Sequence, residues 1–221
     1  MSQKNPMKEL IRQSSDAMVP RHKKLMKEEE AAALAARRVS APENLRQRQP
    51  KPLTAVQKEL LRSSYRSMEQ DTIQNGVSVF VRLFTDYPNY KALWPEFRPL
   101  DDSALANTDV LRKHGAVFMN GLKTLVHHLD DEKKFREFVT KLGELHKKKG
   151  VSTFHLRHML PTLFATLKLC LGALNAEVKT AWQSLFDQIA YQMETQDLKL
   201  NEQLAQELDG IELGEEFLSN E

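Results

Sequence analysis

One periodicity governs this sequence: from Leu53 to Met193 its apolar residues recur at spacings of three and four, and no stretch alternates with period two long enough to form a strand. Asn75-Gly76, a pair suited to tight hairpins, lies inside a helical run instead. The cleanest stripe comes last, as Val178, Trp182, Leu185, Phe186, Ile189 and Met193. The chain is therefore expected to be all-α.

Start and stop signals divide the helices. Leu53-Thr54-Ala55-Val56-Gln57 reads as a staple followed by a capping box, opening a helix that runs to about Met68. A second helix, about Asp71 to Asp86, sets Val77, Phe80, Val81 and Phe84 on one side and stops at Tyr87-Pro88. A short helix from Asn89 to Trp94 then leads through Pro95, Phe97 and Pro99 into a third long helix, from about Ser103 to Leu129. The next helix carries Phe135, Phe138, Val139, Leu142 and Leu145 toward His146 and is stopped by Gly150. Ser152 can cap a helix whose broad apolar face holds Leu156, Leu160, Leu163 and Leu167, and Asn175 can cap the last one.

The 221 residues, 41% of them hydrophobic, allow one domain with extensions. Residues 1–52 are rich in Lys and Arg, are punctuated by Pro20, Pro42, Pro50 and Pro52, and show few periodic large apolar residues, so they read as a basic, mobile, partly helical arm. Residues 53–196 form the folded domain, and 197–221 an acidic tail. A net charge of +2 gives no ground for nucleic acid as a partner. No run is long and apolar enough for a signal peptide or a transmembrane segment, and position 2 is Ser2 rather than the glycine that myristoylation needs. A single cysteine, Cys170, excludes an intramolecular disulfide and fits a cytoplasmic, reducing setting.

Two histidines stand out. His114 shares a helix face with Phe118, one turn on, so it points inward, and His146 lies near the end of the following helix. A histidine on an apolar face is either a core residue satisfied by one hydrogen bond or a ligand, and the residues alone leave both open. His127 and His128 end their helix beside Asp130-Asp131, while His155 and His158 fall three apart. With no third ligand evident, those four read as surface or capping residues. Lys147-Lys148-Lys149 complements the negative end of its helix. There is no nucleophile elbow, phosphate loop or paired-carboxylate site.

In order along the chain, Leu-Thr at 53–54, Arg-Leu-Phe at 82–84, Tyr-Pro at 87–88, Leu-Trp-Pro-Glu-Phe at 93–97, Lys-His-Gly at 113–115, Leu-Gly-Glu-Leu-His at 142–146 and Ala-Trp at 181–182 resemble the globin family. The resemblance spans residues 53 to about 196, and the extended termini are similar to those of nematode and neuroglobin-like globins. It implies a three-over-three helical sandwich holding haem b (iron protoporphyrin IX), with His146 as proximal iron ligand and His114 as distal histidine. His146 would donate its other ring nitrogen to a carbonyl one turn earlier, near Leu142. Phe80, Trp94, Phe97, Phe118, Val151 and Leu156 would complete the pocket, with Trp94 where the family has its signature phenylalanine. That pocket offers large rings and no tyrosine hydroxyl, which favours His114 as sixth ligand. The implied work is redox chemistry, electron transfer to a partner, or sensing of gaseous ligands (oxygen, carbon monoxide, nitric oxide) that displace His114. The alternatives are reversible oxygen storage or transport and, from another class, a haem-free helical interaction module. Any enzymatic activity would be that of the haem.

Overall fold

The computed structural model describes residues 48–218. The arm assigned to residues 1–52 therefore lies, up to residue 47, outside the described residues. Its last residues are tied down, since Gln188 Nε2 donates to the carbonyl of Lys51 at 3.0 Å.

Seven α-helices follow: α1 (Ala55–Met68), α2 (Thr72–Asp86), α3 (Asp102–Leu105), α4 (Asp109–His127), α5 (Glu132–Lys147), α6 (Thr153–Leu171) and α7 (Ala176–Leu218). Two short 3₁₀ turns, Pro88–Leu93 and Pro95–Phe97, separate α2 from α3. No strand occurs among the described residues. The caps expected at Thr54 and Asn175 are present, and Asp71 adds a further one. Thr54 and Gln57 form the reciprocal box, Asp71 accepts from the N–H of Gln74 at 3.2 Å, and Asn175 accepts from the N–H of Val178 at 2.9 Å. Each side chain satisfies a donor that the first turn of a helix leaves unpaired.

One helix expected as continuous, Ser103 to Leu129, is instead two. Asp101 caps the short α3 by accepting from Ala104 N–H at 2.7 Å. Thr108 then starts α4 afresh, its hydroxyl accepting from Leu111 N–H at 3.2 Å. The second cap competes successfully with continued helix because threonine's hydroxyl offers the backbone an alternative partner. At the other end, α7 runs unbroken through residue 196, where the composition turns acidic.

The helices form a three-over-three sandwich, α1, α4 and α5 over α2, α6 and α7, with α2 packed on α4 and α6, and α7 on α1, α5 and α6. Its core is one buried cluster that includes the fully buried indole of Trp182 on α7 together with Leu61, Met68, Met119, Leu163, Leu167 and Leu185. The indole N–H donates to Ser64 Oγ at 3.0 Å, and that hydroxyl donates in turn to the Leu60 carbonyl at 2.6 Å. The tryptophan thereby buries its large apolar surface without stranding its one polar atom.

The closest approach is between α2 and α4. A Cβ built on Gly76 would fall inside the peptide group of Gly115, and one built on Gly115 would lie 2.8 Å from the backbone nitrogen of Val77. Two backbones meet here with no room for any side chain. Gly76→Ala should therefore force the helices apart and cost about 3 kcal/mol, read as a lowered urea midpoint with the slope unchanged.

Tyr65 ties α1 to α4, donating its hydroxyl to the carbonyl of Met119 at 2.8 Å. Burial, and after it the carboxylate of Glu69, push this phenol up to about 12. In the unfolded chain it ionises near about pH 10. Between those values the unfolded state has released a proton that the folded state keeps, so stability falls with rising pH; below them the contribution is complete. Tyr65→Phe should cost about 1 to 2 kcal/mol at neutral pH and flatten the alkaline arm of the stability profile measured by urea unfolding.

Candidate functional site

His146 is positioned by the end of α5. Asp131 starts that helix, accepting from Lys134 N–H at 3.0 Å. Gly143 seats it closely on Met193 of α7, while Gln192 Nε2 bonds to Thr140 Oγ1 at 3.3 Å and Lys147 pairs with Asp197 at 2.9 Å. After Lys147 the chain reverses through Gly150 at φ +75°, and the N–H of Val151 returns to the His146 carbonyl at 2.9 Å. The half-buried imidazole donates Nδ1–H to the carbonyl of Leu142, one turn back, at 2.7 Å. A carbonyl can only accept, so Nδ1 carries a proton and the ring is oriented by its own helix. Leu145, expected with the same stripe, is 62% exposed. A single residue turns a helix by about 100°, which carries it away from the face that His146 shares with Leu142.

His114 follows from the glycine contact, because the residue after it is Gly115. Its ring lies 4.6 Å from that of Phe80 and 5.1 Å from that of Trp94, both edge-on. Phe118 meets Phe80 edge-on at 5.3 Å and closes the same wall from α4. Burial lowers the His114 pKa to about 4, and the nearby imidazole of His146 lowers it further as the second cause. The two rings thus lie within electrostatic reach of one another, and at neutral pH His114 is an uncharged imidazole with a free lone pair.

The remaining expected residues divide. Phe80, Trp94 and Phe118 gather around His114. Phe97 is fully buried behind them, 5.7 Å from Phe84 and 5.8 Å from Trp94. Leu142 serves through its carbonyl and Val151 through its N–H, while Leu156 packs against the main core. Two further contributors escaped the sequence reading. Phe84 backs Trp94 at 5.4 Å, and the side chain of Leu93 lies 3.7 Å from where a Cβ on Gly150 would sit, joining the 3₁₀ turn to the loop after His146. Phe84 follows Phe80 by one helical turn, which was the available signal.

An imidazole that donates Nδ1–H to a backbone carbonyl, within electrostatic reach of a second imidazole set among aromatic rings, is a donor set that suits haem iron. The residues present fit that group.

Comparison with known proteins agrees. The globin family model matches residues 77–193. A cytoglobin-1 from Oryzias latipes is 30% identical over 146 residues, covering 61% of this chain and 78% of its own. Among solved structures, a haemoglobin from the botfly Gasterophilus intestinalis superposes with a TM-score of 0.61 at 18% identity, over 65% of this chain and 98% of its own. A hexacoordinated haem protein from an anhydrobiotic tardigrade gives 0.60 at 19% identity, over 66% and 95% respectively. The chain belongs to the globin family. Its cofactor is haem.

Gly150 gives a direct test of the loop that closes the site. A methyl group there meets only an ordinary contact with Leu93, so the cost of Gly150→Ala is that of a left-handed backbone, about 1 to 2 kcal/mol, seen as a lower thermal midpoint.

Proposed function

We propose that this globin holds haem between His146 and His114, with His146 Nε2 as proximal ligand and His114 as the sixth ligand, and that it works in electron transfer or in sensing of gaseous ligands. The observation that supports this reading most is the setting of His114, an uncharged imidazole in a wall of Phe80, Trp94 and Phe118 and within electrostatic reach of His146. Those rings carry no hydroxyl and no lone-pair donor for iron, so His114 is the ligand that wall can offer. The tardigrade relative, a hexacoordinated haem protein, and a hexa-coordinate haemoglobin of Drosophila melanogaster with a similar fold point the same way.

Bound haem supplies an iron that exchanges single electrons or takes a diatomic ligand. The chain's own residues do the rest. The Leu142 carbonyl orients the His146 ring and raises its basicity as a ligand. Phe80, Trp94 and Phe118 hold the His114 ring and keep water from it. Oxygen, carbon monoxide or nitric oxide would then have to displace His114, which favours redox work or sensing over bulk oxygen carriage. No helix among the described residues is long and apolar enough to cross a membrane. A reducing, cytoplasmic setting is part of the proposal and rests on the lone Cys170 thiol.

Visible absorption of the ferric and dithionite-reduced protein tests this reading. Sharp, split bands in the deoxygenated ferrous protein, replaced by one broad band in His114→Ala, are expected. His146→Gly should lose haem and regain it with added imidazole. A broad five-coordinate band in the unaltered ferrous protein would instead support reversible oxygen binding.

A further inference from the structure

A second group of rings lies outside the haem-binding residues. The first turns of α6 carry Phe154, His155 and His158, and the 3₁₀ turn opposite carries Tyr90, with Tyr87 immediately before it. Tyr90 is buried, and its phenol oxygen lies 2.5 Å from Nδ1 of His158. Tyr87 stacks flat on the His158 ring at 4.1 Å and 3°, and Phe154 meets it edge-on at 4.5 Å. His155 abuts Tyr90 at 4.6 Å, but its Nδ1 already accepts the backbone N–H of Ser152 at 3.1 Å. The base that faces the Tyr90 phenol is therefore His158. No group of three metal-ligating side chains occurs among the described residues.

A phenol that loses an electron becomes a very strong acid, and its oxidation is easy only when the proton can leave at the same time. An imidazole nitrogen at hydrogen-bond distance receives that proton without any movement of heavy atoms. We infer that Tyr90 is a redox-active tyrosine of this globin, with His158 as its proton acceptor. One electron leaves the ring for an oxidant, the phenol O–H bond breaks, and an N–H bond forms at His158 Nδ1. The products are a neutral phenoxyl radical and an imidazolium, and return of the electron reverses both changes. The oxidising co-reactant is a hydroperoxide reduced at the haem to an alcohol and water. That reduction takes two electrons and two solvent protons, with Tyr90 supplying one electron and a ferrous haem, passing to ferric, supplying the other. Tyr90 precedes Trp94 by four residues, about 8 Å at the rise of a 3₁₀ helix, and the Trp94 ring lies 5.1 Å from His114. Oxidising equivalents from the haem pocket thereby reach a tyrosine shielded from solvent. Only the hydroperoxide step rests on the haem reading.

The test uses the haem-loaded full chain in two arms. In one, tert-butyl hydroperoxide is added and the sample is freeze-quenched for electron paramagnetic resonance. In the other, photogenerated tris(bipyridyl)ruthenium(III) is the oxidant and the haem is not needed. A tyrosyl signal is expected in both arms, lost in Tyr90→Phe and retained in Tyr87→Phe. High-field spectra of the unaltered protein should show the lowered gx of a phenoxyl hydrogen-bonded to a cation, and His158→Gln should abolish it. Radical formation should slow in deuterium oxide. An undiminished signal in Tyr90→Phe, or a gx value free of hydrogen bonding in the unaltered protein, overturns the assignment even if a variant folds poorly. A Tyr90 radical from ruthenium but not from hydroperoxide overturns the link to the haem, whose own absorption spectrum separately shows whether the iron ligands are those proposed.

Discussion

The contact on which the rest of this globin depends is the meeting of two helix backbones at Gly76 and Gly115. With no side chain between them, α2 and α4 cross closely enough for residues one turn beyond the crossing to become neighbours. Phe80 lies four residues after Gly76, and His114 immediately precedes Gly115, so their rings come to 4.6 Å. The missing methyl groups thus set the width of the pocket wall. Packing of this density transmits a change at one point to its surroundings, so an error at the crossing would reach the site directly.

The two central histidines are controlled by different means. His146 is held by a directional bond to the carbonyl of its own helix, which fixes the proton on one ring nitrogen. His114 is surrounded mainly by rings, and desolvation keeps it uncharged. One residue is oriented and the other is neutralised. Neither requires a buried carboxylate, which would have to be accommodated in an apolar region.

Much of this was legible in the sequence because it is local. Caps at Thr54 and Asn175, the stop at Gly150 and the stripe from Val178 to Met193 involve residues within a turn or two of one another. The bond from His146 to Leu142 spans one helical turn and was expected from the globin resemblance. Features that depend on a second helix were not legible. Gly76 and Gly115 read as ordinary helical positions until the other backbone arrives, and Phe84 read as core until Trp94 is placed against it. The break between α3 and α4 was local yet missed, because the apolar residues on either side share one helical period and the cap signal of Thr108 was read through. Tyr90 and His158, 68 residues apart, meet only through the fold.

The chain has two tryptophans, and the fold assigns them to different places. Trp182 is sealed in the core with its indole N–H bound to Ser64, whereas Trp94 is half-buried with its edge toward His114. Their fluorescence is therefore a pair of optical reporters with separate addresses. Emission from Trp94 responds to rearrangement of the pocket wall, and emission from Trp182 shifts to longer wavelength only when water enters between α1 and α7. Single-tryptophan variants would let opening of the pocket be timed against melting of the core within one molecule.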